Sequence, residues 1–220
     1  MSAVFRLLQL ASPTLPVGGF SYSRGLETAV ERGWVVDEAG AQSWIAGLLA
    51  SNTARLDAPL ALRVHRAIAR GDGGEVRRWV ELTQATRETA ELAAESEAMG
   101  GALARWMVGL ALASREEVAP VRRCHLAAFA LAALRLGLDE ASTLRAFVWT
   151  QLEAATAAAV KLVPLGQTDG QRILLQTGND LEALCRTAAL IQDDDIGALT
   201  LGLSLASAWH ETQYSRLFRS

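Results

Sequence analysis

Apolar residues recur at the spacing of an α-helix along most of this chain, and this repeat constrains its fold more than any other feature. For example, Trp44, Ile45, Leu48 and Leu49 fall on one helical face. No segment alternates apolar and polar side chains as a half-buried strand does. Ala and Leu are abundant while Val and Ile are scarce, which also favours closely packed helices. We predict an all-α fold, a single-domain compact bundle of about eight to ten helices.

Capping and turn residues predict several helix boundaries. Asp57 and Asp139 each precede a helical repeat as N-caps, and Gly137 follows one as a C-terminal cap. Residues 75–113 are expected to form one long helix or two nearly collinear ones, loosened at Gly100–Gly101. Further helices are predicted over residues 3–10, 120–136, 139–163, 168–175, 179–192 and 197–212.

The composition limits the class of protein. The net charge is −3, and no helix face gathers Lys and Arg, so we expect no binding to nucleic acid. No apolar run approaches the ~20 residues of a membrane span, and the N-terminus lacks a signal-peptide pattern. Cys124 and Cys185 are too few for a disulfide framework. These observations predict a protein of the reducing cytoplasm that does not bind membranes.

The chain lacks the common catalytic and metal-binding motifs. It has no GxSxG, HExxH, CxxC or GxxxxGK[ST] sequence and no His pair at i, i+4. Cys124 and His125 are neighbours, but adjacent side chains on a helix point about 100° apart and cannot easily share a proton or a metal. We therefore predict no enzyme activity, no cofactor and no metal site within one chain. A helical scaffold with unusual surface segments favours an interaction protein.

The first unusual segment is a loop at residues 12–27, SPTLPVGGFSYSRGLE. Pro16 and Gly18 interrupt regular structure, while apolar residues such as Tyr22 indicate that the loop is packed down. We interpret Pro16, Gly18, Tyr22 and Glu27 as parts of an ordered loop that braces two helices. A binding role for the loop is the alternative.

Two acidic segments allow two readings each. Residues 87–98, RETAELAAESEA, form either a solvated helix face or an acidic surface for a partner, with Arg87 and Glu91 spaced for an i, i+4 ion pair. Residues 193–195 are three consecutive aspartates, which form either a helix-capping loop or a weak cation site.

Residues 161–171, KLVPLGQTDGQ, form a polar corner at the end of an Ala-rich helix. Lys161 is the only lysine of the chain, and it is either a solvated cation that complements the helix C-terminus or a functional group. Gln167, Asp169 and Gln171 offer hydrogen-bonding groups that brace the loop or contact another surface.

The chain ends in a segment that we call the tail, residues 211–220, after a helical domain at residues 1–210. If the tail were helical, Tyr214, Leu217 and Phe218 would share one face, and Arg216 could pair with carboxylates of a partner. Such a terminus either folds onto its own chain or becomes a helix in the groove of a partner. We predict the second arrangement, with a tail that is unordered until the partner binds.

Four segments together resemble the UreF family of urease accessory proteins. They are LLQLASPTLPVGGFSYSRGLE at 7–27, RETAEL at 87–92, VKLVPLGQTDGQ at 160–171 and HETQYSRLFRS at 210–220. Two positions depart from the family pattern. Ala90 stands where an arginine is common, and Ala208-Trp209 replaces a Met-Arg or similar pair.

The resemblance implies an all-α homodimer without a catalytic site. Such a protein joins the scaffold UreD (also called UreH), recruits and regulates the GTPase UreG, and supports nickel insertion into apo-urease. By position, Lys161 matches a site linked to GTPase coupling, and the tail matches a segment that orders on binding UreD. The partner-binding residues implied are Lys161, Gln167, Asp169, Gln171, Tyr214, Arg216, Leu217 and Phe218.

Two other functions remain open from the sequence. One is a nickel carrier or store whose ligands come from both chains of a dimer, because three histidines without chelating spacing argue against a site in one chain. The other is an enzyme that uses Cys124 or a histidine.

Overall fold

The structure, a computed structural model, describes residues 2–220. In this range the chain forms α-helices joined by turns and short 3-10 segments, and it contains no β-strand. The helices are α1 (Ala3–Leu10), α2 (Leu26–Glu31), α3 (Glu38–Leu48), α4 (Ala58–Ala69), α5 (Gly73–Ala85), α6 (Ala90–Gly109), α7 (Arg115–Val118), α8 (His125–Arg135), α9 (Glu140–Leu162), α10 (Gln167–Gly178), α11 (Leu181–Leu190) and α12 (Leu201–His210).

Helices α3 and α4 are parts of one continuous helix, because a π-helical stretch over Leu49–Asp57 joins them. Counted in this way, the described part of the chain has eleven helices. The predicted all-α single-domain fold is confirmed. The number is slightly above the expected eight to ten, partly because the four-residue α7 lies where we expected only a connection.

The N-cap prediction for Asp57 was wrong. Asp57 has helical dihedral angles, and its side chain caps no backbone N–H group. The carboxylate instead turns inward, where it accepts hydrogen bonds from Arg24, Arg87 and Asn52. Two guanidinium groups are stronger partners for a buried carboxylate than a neutral backbone N–H group, so the helix continues through this position.

Helix α8 is the centre of the core. Residues 126–133 are all buried, as expected for a helix that is apolar on every side. Helices α4 and α6 pack closely against α8, and α9 packs against α4, α10 and α11. Phe129 of α8 and Phe147 of α9 meet edge to face, with ring centroids 5.3 Å apart. This central packing leaves the N-terminal loop, the start of α6 and α12 together on one side of the molecule.

Local signals placed some helix ends correctly. Helix α1 has the predicted bounds, and α9 follows Asp139, whose carboxylate accepts the Ser142 N–H group at 2.7 Å. Gly137 has a φ of 71° after the end of α8, as a C-terminal cap requires.

Other helix ends differ from the prediction. The break within residues 75–113 falls at residues 86–89, where Thr89 caps α6, and α6 continues unbroken through Gly100–Gly101. Helix α8 begins at His125 rather than at residue 120, because Ser96 of α6 accepts the His125 N–H group. Gly166, not residue 168 or 169, is the N-cap of α10.

Helix α12 carries the tail and packs against α2. Gly25, just before α2, has a φ of 79°, and a Cβ atom built there would lie 3.0 Å from the Cβ of Ala206. This close approach sets α12 directly on the N-terminal loop. None of the helices within residues 2–220 combines the length and apolarity needed to cross a bilayer.

Candidate functional site

Three segments that are far apart in sequence meet beside α12 and form a cleft. The tail lies in this cleft, which we call the tail cleft. It is formed by Ser21, Ser23, Arg24 and Glu27 from the N-terminal segment and by Glu91 and Glu95 from α6.

Glu27 receives the backbone of the tail. Its two carboxylate oxygens accept the N–H groups of Leu217 at 2.6 Å and Phe218 at 2.9 Å. The next N–H group, of Arg219, donates to the carbonyl of Ser21 at 2.8 Å. Three consecutive tail amides therefore have partners in the N-terminal segment, which holds the tail in one register.

Ser220 is fully buried at the far end of the tail cleft. Its carbonyl oxygen accepts the N–H groups of Ser23 at 2.7 Å and Arg24 at 3.0 Å, and also the Ser23 hydroxyl at 2.7 Å. The Ser220 hydroxyl donates to Glu95 at 2.8 Å. These bonds anchor the last residue as firmly as a turn of regular structure would.

His210 links the tail cleft to the end of α12. Its ring is fully buried, with Nδ1 2.6 Å from Glu91 and Nε2 3.2 Å from Glu27. Both contacts are hydrogen bonds at the same time only when both ring nitrogens carry protons. Arg216 donates to the other oxygen of Glu91 at 2.7 Å.

A buried ion network lies beneath the cleft. Asp57 pairs with Arg24 at 3.1 Å and with Arg87 at 2.6 Å. Burial alone would raise the pKa of Asp57, but the two guanidinium groups outweigh burial and lower this pKa to about 2. Burial raises the pKa of Glu95, although Arg24 and the Ser220 hydroxyl oppose that effect.

The network borders a partly open cavity of about 170 Å³. Arg24, Asp57, Arg87, Glu95 and His125 are among its polar lining residues. The rest of the wall is mostly apolar and includes Leu10, Leu92, Met99, Phe129 and Phe147. Burial lowers the pKa of His125 to about 4, so this imidazole is neutral at neutral pH. The cavity is large enough for several water molecules.

Lys161 lies close to two aromatic rings, one in the N-terminal loop and one in the tail. Its Nζ atom is 5.8 Å from the ring centroid of Phe20 and 5.7 Å from that of Phe218. Both distances are within the range of a cation–π interaction. The lysine therefore touches the N-terminal loop and the tail at once.

The polar corner after α9 is only partly involved. Asp169 accepts the Gly166 N–H group at 2.8 Å and pairs with Arg172 at 3.1 Å, which stabilises the start of α10. Gln167 and Gln171 are exposed, and their side chains make no hydrogen bond within the described residues. The structure thus brings Lys161 to the tail cleft but leaves the two glutamines at the solvent.

The prediction that the tail is unordered before a partner binds was wrong, because the tail is docked on its own chain. It forms turns and bends here, and a helix in the groove of a partner stays a prediction. Phe218 is only 6% exposed, whereas Leu217 is 68% exposed and Tyr214 is fully exposed, so the three do not share a face. Arg216 already has a partner in Glu91 of the same chain. The cause is the binding of consecutive tail amides by Glu27 and Ser21, which holds the backbone in a non-helical conformation with turns and bends.

The N-terminal loop is ordered, and one of its predicted bracing residues contacts the tail. Gly18 has a φ of 74°, Tyr22 is buried and Pro16 is exposed at a turn. Glu27 is buried and binds the tail, a role that sequence reasoning missed. The sequence signal for this role was an acidic residue in the first turn of a short helix, on the same face as its apolar residues.

The acidic segment at 87–98 is not simply a solvated face. Arg87 pairs with Asp57 and not with Glu91, so the predicted i, i+4 pair is wrong. Glu91 and Glu95 are four residues apart on α6 and share its inward face, whereas Arg87 reaches the same region from the connection before α6. That spacing was the sequence signal for a buried polar stripe.

Asp193–Asp195 form a short 3-10 turn, and Asp193 pairs with Arg63 at 2.7 Å. The three side chains accept no helix N–H group within residues 2–220, so the predicted capping role was wrong. No group of three His, Cys, Asp or Glu residues within 2–220 has a geometry that could hold a metal ion.

The fold and the tail cleft define an all-helical protein whose most elaborate site is built to hold a peptide segment. A sequence profile of the UreF family matches residues 35–178. The urease accessory protein UreF of Chromohalobacter salexigens is 43% identical over 218 residues, which cover 99% of this chain and 95% of that protein. UreF of Azoarcus sp. strain BH72 is 45% identical over 229 residues, with 99% and 95% covered. UreF of Teredinibacter turnerae is 42% identical over 217 residues, with 99% and 98% covered. The chain therefore belongs to the UreF family of urease accessory proteins.

Proposed function

We propose that this protein is a cytoplasmic maturation factor for nickel insertion into apo-urease. In this role it is a homodimeric, non-catalytic adaptor that joins the scaffold UreD (UreH) and recruits and regulates the GTPase UreG. The family membership supports the assignment to urease maturation. The partners and the dimer are the finer part of the proposal.

The observation that carries the adaptor role is the outer surface of the docked tail. Tyr214 and Leu217 point to solvent, and Leu217 is 68% exposed. Arg219 of the same segment is also exposed, and its side chain pairs with no carboxylate of residues 2–220. Exposed apolar side chains in one segment with an uncompensated cation suit a partner that offers apolar surface and a carboxylate.

The scaffold contact is tested with a variant that changes only exposed side chains. Tyr214→Ser combined with Leu217→Ser should reduce recovery of UreD (UreH) in a pull-down by at least tenfold, because two large apolar side chains lose their burial in the complex. Leu175→Ser is the matched control, since Leu175 is 72% exposed on α10, outside the tail cleft. Full recovery of the scaffold with the double variant would contradict the proposal.

The GTPase contact is tested at Lys161. Lys161→Ala should leave helicity and scaffold binding intact and reduce urease activation in a reconstituted system with UreD, UreG and nickel. Unchanged activation would show that Lys161 is a solvated cation without a role at the GTPase. Equilibrium dialysis of the isolated protein with nickel separates the adaptor from a nickel carrier, because only a carrier binds the ion stoichiometrically without partners.

A further inference from the structure

Lys161 is a cation without a carboxylate partner in the described part of the chain. Its ammonium group instead faces two rings that come from opposite ends of the sequence, Phe20 from the N-terminal loop and Phe218 from the tail. The face of an aromatic ring is electronegative and attracts a cation within about 6 Å. The position of Lys161 therefore depends on where both rings are.

The two rings differ in how they are held. Phe20 belongs to the loop and is present whether or not the tail is docked. Phe218 reaches Lys161 when the tail is docked, with the N–H groups of Leu217 and Phe218 bound by Glu27. Release of the tail removes the Phe218 ring, and Lys161 is then held by Phe20 alone.

We propose that Lys161 is a positioning residue that couples the docking of the tail to the surface at the end of α9. The docked tail holds the ammonium group between Phe20 and Phe218, and the ammonium group in turn stabilises the docked tail. Coupling of this kind is reciprocal, so a partner that engages Lys161 changes the docking equilibrium of the tail by the same factor as the tail changes the affinity of that partner. The inference deepens the proposed role of Lys161 at the GTPase.

The first test measures hydrogen exchange of the Leu217 and Phe218 amides in the isolated, full-length protein. Lys161→Gln removes the cation and should raise their exchange on the order of two- to fivefold, the effect of one exposed cation–π contact. Lys161→Arg keeps a cation that stacks on aromatic rings and should preserve the wild-type rate. Arg219→Gln is the matched control, because it removes an exposed cation from the tail itself, next to Phe218.

The outcomes of this test are distinct. Unchanged exchange in Lys161→Gln would overturn the proposal. So would an equal increase in Arg219→Gln, because general electrostatic attraction would then explain both. The test contains no partner protein, so the coupling and the proposed adaptor function fail or stand separately.

The second test observes the same contact from the lysine. Because Lys161 is the only lysine, reductive methylation with ¹³C-formaldehyde labels this side chain and the N-terminal amine alone, and it keeps the positive charge. The Lys161 methyl signal should lie upfield of free dimethyllysine as a result of the two rings. Phe218→Leu should move it part of the way back, while Leu217→Ala should not. A signal at the free position in the wild-type protein, or one that ignores Phe218→Leu, would refute the coupling.

Discussion

Glu27→Gln is the sharpest test of how the tail is held. One oxygen of the carboxylate accepts the Leu217 amide, and the other accepts the Phe218 amide and His210 Nε2. Glutamine keeps one acceptor oxygen and places an NH₂ group against the remaining donors. At least one charge-assisted hydrogen bond is lost and the others weaken, since the acceptor becomes neutral. At about 1.5–3 kcal/mol for each bond to a charged group, we expect tail docking to weaken by about 2–4 kcal/mol.

This free energy corresponds to a change of roughly 30- to 700-fold in the docking equilibrium. The assay is amide hydrogen exchange by NMR, in which the Leu217 and Phe218 signals should lose protection by about that factor while amides of α8 keep theirs. Glu31→Gln is the control, because Glu31 lies one turn further along α2, is exposed and forms no hydrogen bond or ion pair through its side chain in residues 2–220. Protection within twofold of the wild type in Glu27→Gln would show that Glu27 does not hold the tail.

Three further predictions concern stability. Asp57→Asn leaves Arg24 and Arg87 without their buried carboxylate and should lower the free energy of unfolding by about 3–5 kcal/mol in urea titration. Two pKa values predict acid sensitivity. The pKa of His125 is lowered from 6.5 to about 4, so about 3 kcal/mol of stability should be lost between pH 6.5 and 4. The pKa of Asp57 is lowered from 3.8 to about 2, so about 2 kcal/mol more should be lost below pH 4. A wild-type stability that is independent of pH over this range would contradict both. Gly25→Ala adds a Cβ atom against Ala206 at a φ of 79° and should destabilise the protein more than Gly33→Ala. Gly33 has a similar φ of 72°, but a Cβ atom added there would touch nothing within 4 Å. Equal melting temperatures of the two variants would show that the close contact does not matter.

The sequence predicted what depends on near neighbours. The all-α fold follows from helical spacing, which is visible within any turn or two, and the start of α9 follows from Asp139 and an amide three residues later. Asp57 shows where this reasoning fails. As an aspartate before a proline-containing turn it has the local pattern of an N-cap, but its real partners, Arg24 and Arg87, are 33 and 30 residues away. No local pattern reports a partner at that distance.

Local sequence patterns could not predict the tail cleft for the same reason. The four motif segments were each recognisable, but their meeting at one place depends on contacts between residues far apart in sequence, such as Ser23 with Ser220, 197 positions away. The apolar residues of the tail suggested a helix because spacing alone cannot show that Glu27 binds two consecutive backbone amides. A non-helical tail held by hydrogen bonds is a tertiary outcome that overrides the local pattern.

The way the tail is attached explains how a docked segment can still bind a partner. Polar and charged groups hold it, through Glu27, Ser23 and Glu95, while Leu217 and Tyr214 remain outside. Ordering a flexible segment is one of the main costs of association, and here the ordering takes place before any partner arrives. In the proposed complex, the partner then covers apolar side chains that already have a fixed position, each contributing about 1.5–3 kcal/mol if fully buried. The intramolecular bonds use the tail backbone and the side chains of Arg216 and Ser220, whereas the partner would use the outward side chains of Tyr214 and Leu217, so the two sets of contacts do not compete. A tail that is docked in the free protein is therefore better prepared for an adaptor role than the unordered tail that its sequence suggested.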